Sequence, residues 1–147
     1  MTNRGIDIKH PKQRGEWAEM CFMAQATAHG LCVTKPYGDS RHYDFAIEHQ
    51  GKFLRVQVKS TKCRRKDRYS CNVLTSRKPY KTSQIDFVAA YVIPSDIWYI
   101  VPVRAFRGLQ YISLSPDMKV SKYGRYREAW HLLRAKAAKA RAASSRG

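Results

Sequence analysis

Residues 43–59 read YDFAIEHQGKFLRVQVK, in which two runs of alternating apolar and polar residues flank a Gln-Gly pair. Such alternation is typical of strands that bury one face. Gly51 suits the turn between them because glycine adopts a positive φ without steric cost. The stretch predicts an antiparallel hairpin, with Asp44 on the first strand and Gln57 and Lys59 on one face of the second.

The segments on either side of this hairpin predict one helix and a short strand, residues 31–34, before it and several strands after it. Apolar residues recur at helical spacing over residues 13–29, and β-rich runs follow at 69–74 and 97–103. The apolar run 85–93 fits either a strand or a short buried helix, and the Ala-, Lys- and Arg-rich chain from Lys122 onward predicts a second helix. This order favours an α/β or α+β fold with a mixed central sheet. The apolar stripe predicted for the first helix comprises Trp17, Met20, Cys21, Ala24 and Ala28.

The chain has the length of a single domain and a large positive charge. Its 147 residues include 28 Lys and Arg and 11 Asp and Glu, for a formal net charge of +17. Because 44% of the residues are hydrophobic, the composition excludes a disordered polycation and predicts a folded core. The surplus charges repel one another unless a polyanion neutralises them, so nucleic acid is the expected partner. No stretch is apolar enough to span a membrane, and the four cysteines lack the spacing of a zinc site.

Two clusters of basic residues follow the hairpin. Six of the ten residues in 59–68 are Lys or Arg, and a second cluster lies within 77–81. A solvated loop is the ordinary interpretation of such a run, but its position directly after Lys59 favours contact with a phosphate backbone. The predicted DNA-binding residues are Lys62, Arg64, Arg65, Lys66, Arg68, Arg77, Lys78 and Lys81.

Asp44, Gln57 and Lys59 place a carboxylate, an amide oxygen and an ammonium in one predicted patch. Hydrolysis of a phosphodiester requires such a set, since Mg²⁺ takes oxygen ligands and lowers the pKa of a bound water. A nearby lysine orients that water or offsets the charge of the transition state. The alternatives are a surface Asp44 paired with Arg41 or Arg55, and merely exposed strand residues at 57 and 59.

The spacing of Asp44 and Gln57-Val58-Lys59, with twelve residues between the first two, resembles the motif of the PD-(D/E)XK nuclease superfamily. Glutamine stands where the second acid of that motif is expected. Glu16, which follows a glycine in the first predicted helix, resembles the acidic residue that the family carries upstream. By resemblance, Asp44 is the central metal ligand, and Gln57 and the Val58 carbonyl supply further oxygen ligands. Lys59 is then the catalytic lysine, and Glu16 helps to bind a metal or its water.

Further residues resemble one branch of this superfamily, the group I intron-encoded homing endonucleases, which also carry Gln-x-Lys. The similarity implies a restriction-endonuclease-like α/β core, with a mixed central sheet flanked by helices and an extra helix at the C-terminus. Three segments are expected: a basic arm over 1–12, the core over 13–104, to which the resemblance extends, and a basic, mostly helical extension over 105–147. The residues that carry this resemblance are Ile85, Asp86, Phe87, Tyr91 and Trp98-Tyr99-Ile100-Val101-Pro102.

The resemblance implies a Mg²⁺-dependent endodeoxyribonuclease that hydrolyses phosphodiester bonds in duplex DNA, with Mn²⁺ able to replace Mg²⁺ and no small-molecule cofactor. The homing, intron-associated type is the first expectation, and a junction-resolving or restriction-type nuclease is the second. One active site in each chain implies a homo-oligomer, a dimer or a tetramer, if both strands are cut. A cytoplasmic, nucleoid-associated location and no membrane partner are expected. The alternatives from other classes are a non-catalytic nucleic-acid-binding module and a basic RNA-binding or ribosome-associated protein.

Overall fold

The computed structural model of the chain describes residues 6–38 and 40–134. Within this part the chain forms one α-helix, α1 (Pro11–Ala28), and ten strands arranged in three sheets. The strands are β1 (Cys32–Thr34), β2 (Phe45–His49), β3 (Lys52–Thr61), β4 (Arg64–Arg65), β5 (Arg68–Asn72), β6 (Leu74–Thr75), β7 (Lys78–Pro79), β8 (Phe87–Val92), β9 (Ile97–Pro102) and β10 (Tyr111–Leu114). Short 3-10 helices lie at Ile93–Ser95, Val103–Phe106, Gly124–Tyr126 and Trp130–Leu133. No helix in this part is long and apolar enough to cross a membrane.

The central sheet has five strands in the order β1-β2-β3-β8-β9. β2 and β3 form the predicted antiparallel hairpin, in which Phe45 pairs with Val56 and the turn has positive φ at Gln50 and Gly51. β8 runs parallel to β3, whereas β1 and β9 pair antiparallel with their neighbours. The predicted mixed central sheet is confirmed, and the run 85–93 contains a strand rather than a buried α-helix.

Each face of the central sheet covers a separate hydrophobic core. Along β8, Ala89 and Tyr91 face the first core, beneath α1, and Val88 and Ala90 face the second. The second core lies between the central sheet and a three-stranded sheet of order β10-β5-β4. A strand that is buried on both faces explains why β8 reads as an unbroken apolar run.

Helix α1 packs its middle against the first core. Ala18, Phe22 and Ala26 are buried, and the Phe22 ring stacks on that of Phe45 at 5.3 Å between centroids. The predicted apolar stripe is wrong at Ala24 and Ala28, which are exposed, and at Met20, which is 56% exposed. Helix α1 turns the side that carries Phe22 toward the core, because burying this large ring removes the most apolar surface from water.

The predicted helix from Lys122 onward is wrong for residues 122–134, and residues 135–147 lie outside the described part of the chain. Two single-turn 3-10 segments replace it. Glu128 has a φ of 49°, which interrupts a right-handed helix, and packing against the sheet overrides the local helix propensity. The described part of the predicted helical extension, 105–134, instead contributes β10 and buried side chains.

Trp130 anchors this segment in the first core. Its ring lies 5.7 Å from Phe22 and 5.9 Å from Trp98, centroid to centroid. The Glu128 carboxylate accepts the Trp98 backbone N–H at 2.6 Å and the Trp130 indole N–H at 2.8 Å. Ile6, within the predicted N-terminal arm, also packs against this core. The C-terminal segment is therefore part of the same folded unit as α1 and the central sheet.

Replacing Trp130 with alanine should destabilise the whole fold. Removing a buried tryptophan costs about 3–5 kcal/mol, which corresponds to a fall in melting temperature of roughly 10 °C for a chain of this length. Val120→Ala, at a position that is 85% exposed, is the control and should leave the melting temperature within about 2 °C of wild type. Thermal unfolding followed by circular dichroism measures both variants, and equal melting temperatures would contradict the packing of this segment.

Candidate active site

Asp44 lies directly before β2 and is fixed by the backbone of β3. Its N–H donates to the Val56 carbonyl at 2.9 Å, and its Oδ2 accepts the Val58 N–H at 2.8 Å. The ladder of β2 and β3 ends at the pair of Phe45 and Val56, so Asp44 lies just beyond it. Its two hydrogen bonds hold Asp44 against Val56 and Val58, the residues on either side of Gln57 along β3.

Lys59 follows Gln57 by two residues on β3 and therefore extends from the same face of the sheet. Its Nζ donates to the Leu74 carbonyl at 2.9 Å and lies 5.8 Å from the centroid of the Tyr80 ring. Since Leu74 begins β6 and Tyr80 follows β7, the short β6–β7 hairpin holds the ammonium. Burial lowers the pKa of Lys59, and the negative charge of Asp44 acts in the opposite direction.

These side chains line one open cavity of about 360 Å³. Asp44, Gln57 and Lys59 share it with His42 and Tyr80, which the sequence motif does not contain. His42 could have been suspected from its position two residues before Asp44. Tyr80 gives no sequence signal, because a separate hairpin carries it into the site. The remaining lining residues are Ser40, Arg41, Leu74, Thr75 and Ser76.

Burial raises the pKa of Asp44 to about 6. The hydrogen bond from Val58 and the charges of Lys35 and Lys59 act in the opposite direction. The negative charge of Glu19 adds to the increase. A half-buried carboxylate whose ionised form is disfavoured in this way would be stabilised by a bound cation.

Glu19, one helical turn after Glu16, is the acid of α1 that acts on Asp44. Its Oε1 also accepts Lys35 Nζ at 3.0 Å in an ion pair. Glu16 is exposed, and among the described residues no interaction links it to Asp44. Glu19 lies three residues before Phe22, the residue that packs against β2, and this long-range contact brings it toward the site.

Arg55 pairs with Asp86 and not with Asp44, which removes one of the alternatives for Asp44. Its Nε lies 3.0 Å from Asp86 Oδ2, its Nη2 lies 3.1 Å from Oδ1, and its backbone N–H donates to Oδ2 at 2.7 Å. The guanidinium also donates to the carbonyls of Thr82 and Ser83. This ion pair joins β3 to the chain before β8 and has a structural role.

The oxygen atoms in the cavity suit a hard cation rather than zinc. In the stretches 6–38 and 40–134, no three His, Cys, Asp or Glu side chains come together. Asp44 and Gln57 offer a carboxylate and an amide oxygen, which Mg²⁺ accepts together with waters and phosphate oxygens, whereas Val58 is not among the residues that line the cavity. The residues present therefore fit Mg²⁺.

The predicted DNA-binding residues lie on and beside two hairpins, and all eight are exposed. Lys62, Arg64, Arg65, Lys66 and Arg68 lie around the β4–β5 turn. Arg77 lies in the turn of the β6–β7 hairpin, which begins at Ser76, and Lys78 begins β7. Lys81 directly follows Tyr80. Because Leu74, Thr75 and Ser76 of this second hairpin line the cavity, the positive charge of the hairpin lies close to the site.

Comparison with known proteins agrees with this arrangement. A family model described as PD-(D/E)XK endonuclease matches residues 9–133, beyond the end of the predicted resemblance at residue 104. The solved structure of a bacterial homing endonuclease, I-Ssp6803I, matches with a TM-score of 0.73 and 30% sequence identity, covering 86% of this chain and 92% of that one. No curated protein matches the chain. The predicted resemblance and fold class are confirmed, and the chain belongs to the PD-(D/E)XK endonuclease family.

Proposed function

We propose that the chain is a Mg²⁺-dependent endonuclease of the homing type that hydrolyses phosphodiester bonds in duplex DNA. The family to which the chain belongs is one of endonucleases, and the similar solved structure is that of a homing endonuclease. The observation that carries the metal-dependent mechanism is the convergence of Asp44, Gln57 and Lys59 in one cavity. The net charge of +17 supports a polyanionic substrate.

Asp44 would provide the charged ligand to the metal, in an orientation that the Val58 N–H fixes at 2.8 Å. Gln57 and the Val58 carbonyl would supply neutral oxygen ligands. When bound, Mg²⁺ supplies a Lewis acid that polarises the scissile phosphate and lowers the pKa of a water. The protein contributes the rigid hairpin that keeps these three oxygens in place.

Lys59 would act on the phosphate and on the attacking water. Its Nζ is held by the Leu74 carbonyl and lies beside the Tyr80 ring, so its direction is set before the substrate binds. A positioned ammonium offsets the negative charge that develops on the phosphate oxygens. Partial burial strengthens this interaction relative to bulk water.

We assign the role of the upstream acid to Glu19, in place of Glu16. Glu19 acts electrostatically on Asp44 and is held by its ion pair with Lys35. A carboxylate in this position would bind a water of the metal and orient it. The upstream acid moves by one helical turn, from residue 16 to residue 19, because of which side of α1 faces the sheet.

The exposed lysines of the two hairpins would bind phosphates of the duplex, and the exposed arginines would contact the duplex beside them. Because such contacts release counterions, the affinity should fall as salt rises. The described part of the chain has one such cavity, so cutting both strands would require a dimer or a higher homo-oligomer. A substrate of this kind would place the protein with the nucleoid in the cytoplasm.

Asp44→Asn and Lys59→Ala should each abolish nicking of supercoiled plasmid in Mg²⁺. The first removes the charged metal ligand and the second removes the ammonium beside the phosphate, so we expect the rate to fall at least about 100-fold. Lys52→Ala, at the exposed start of β3, is the matched control and should cut at the wild-type rate. EDTA should stop the wild type, and Mn²⁺ should restore it.

Equal nicking by the wild type and both site variants would place the chemistry elsewhere. A wild type that binds duplex DNA and cuts none under any divalent metal would favour the non-catalytic binding module.

Asp44→Asn should also stabilise the metal-free protein at neutral pH. Because the pKa of Asp44 is about 6 in the folded chain and about 3.9 when unfolded, ionisation opposes folding. The cost is absent below pH ~4, grows between pH ~4 and ~6, and reaches about 1–3 kcal/mol above pH ~6. The asparagine keeps an acceptor for Val58 N–H and carries no charge.

Urea unfolding of both proteins in EDTA, at pH 4 and pH 7, measures this difference. The variant should be the more stable protein at pH 7 and equal to the wild type at pH 4. A variant that is less stable at pH 7 would show that the carboxylate is not destabilised by burial.

Glu19→Gln should reduce cleavage by about 10-fold or more and raise the Mg²⁺ concentration that is required, because it removes the charge beside Asp44. Glu16→Gln is the matched control, one turn away on the same helix, and should cleave within about twofold of wild type. Initial rates over a Mg²⁺ titration distinguish the two. A larger effect at Glu16 would return the upstream acid to the position that the sequence predicts.

A further inference from the structure

The sheet β10-β5-β4 has one face in the second core and one face toward solvent. The buried members are Tyr69, Cys71, Ile112 and Leu114. The outward members are Arg65, Arg68, Ser70, Asn72, Tyr111 and Ser113. This outer face therefore carries two guanidinium groups, one amide, two serine hydroxyls and one tyrosine ring with its hydroxyl.

Much of the outer face forms one wall of a concavity of about 920 Å³. Its other walls come from Arg14 near the start of α1 and from Ser60 to Lys62 at the end of β3. Ser60 directly follows Lys59 along β3, so the concavity adjoins the backbone of the catalytic lysine, and the two side chains leave opposite faces of the strand. A duplex bound at the active site would extend over this surface as well.

The chemistry of this surface differs from that of a simple phosphate-binding patch. A lysine binds phosphate as a point charge, whereas an arginine fork and an asparagine amide match the edges of guanine and adenine in the major groove. Strands of a β-sheet fit that groove. Tyr111 is 53% exposed and offers apolar surface for contact with a base. No lining residue of the concavity is acidic.

Asn72 is oriented before any ligand arrives. Its Oδ1 accepts the Leu74 N–H at 2.8 Å, which fixes the plane of the amide and leaves a second lone pair on the oxygen. The carbonyl of the same Leu74 accepts Lys59 Nζ at 2.9 Å. The backbone of Leu74 therefore connects Asn72, on the outer face of the sheet, to the catalytic lysine.

We infer that this outer face reads base identity in the DNA substrate, with Asn72 and Arg65 as base-contacting residues. The inference rests on the proposed function, since it concerns the same DNA. Lys62 and the other exposed lysines hold the backbone, and the sheet decides which sequence is held.

A binding selection from a randomised duplex library, carried out with the full chain in EDTA, tests this without relying on cleavage. Asn72→Asp keeps an acceptor for the Leu74 N–H and replaces the amide donor, so one position should change from adenine to cytosine by about 10-fold or more. Arg65→Lys keeps the charge and loses the fork, so the guanine preference at another position should fall by a similar factor. Gln110→Ala, exposed and just outside β10, is the control and should select the wild-type motif.

Lys62→Ala provides the contrast, since a phosphate contact should weaken all sequences equally and reduce the slope of affinity against salt by about 1. A motif that is unchanged in both Asn72→Asp and Arg65→Lys, with melting temperatures equal to wild type, would overturn the inference. A wild type that selects no motif would overturn it too, even if plasmid nicking succeeds. Failure of nicking alone would instead count against the proposed function.

Discussion

The hydrogen bond from the Val58 N–H to the Asp44 carboxylate is the interaction on which the site depends. It exists because Phe45 and Val56, which pair across the β2–β3 hairpin, are both buried in the first core. A slip of one residue would turn Phe45 out of the first core and move Asp44 away from the Val58 N–H in the same step. The packing that stabilises the fold therefore also fixes where Asp44 lies relative to β3.

The features that sequence predicts well are local ones. Asp44, Gln57 and Lys59 lie on consecutive strands joined by a two-residue turn, so their spacing along the chain translates directly into proximity. The features that it misses depend on contacts between distant segments. Trp130 lies in a segment that the sequence predicts as α-helix, and its contacts with the aromatic core override that local preference. The position of Glu19 depends on which side of α1 faces the sheet. The β6–β7 hairpin enters the site through backbone and ring contacts that no motif records.

Within this fold, the positive charge of Arg55 is kept apart from the negative charge of Asp44. Arg55, two residues before Gln57 on β3, donates its guanidinium hydrogen bonds to Asp86 and to two backbone carbonyls. A guanidinium bound to Asp44 would satisfy the carboxylate and compete with a metal for it. Because Asp86 holds the guanidinium of Arg55, Asp44 stays a half-buried carboxylate whose charge is offset by the Val58 N–H and by Lys35 and Lys59.

The glutamine at position 57 follows from the same electrostatics. Burial and Glu19 already raise the pKa of Asp44 to about 6. A carboxylate at position 57 would add a second negative charge beside it, and the pKa of one of the two acids would rise further. Without a metal, such a pair would hold a proton near neutral pH and would oppose folding. An amide supplies an oxygen whose state does not change with pH. In the proposed metal site, a single cation would then compensate a single buried charge, and Gln57 would serve as a ligand at a lower electrostatic cost than a second carboxylate.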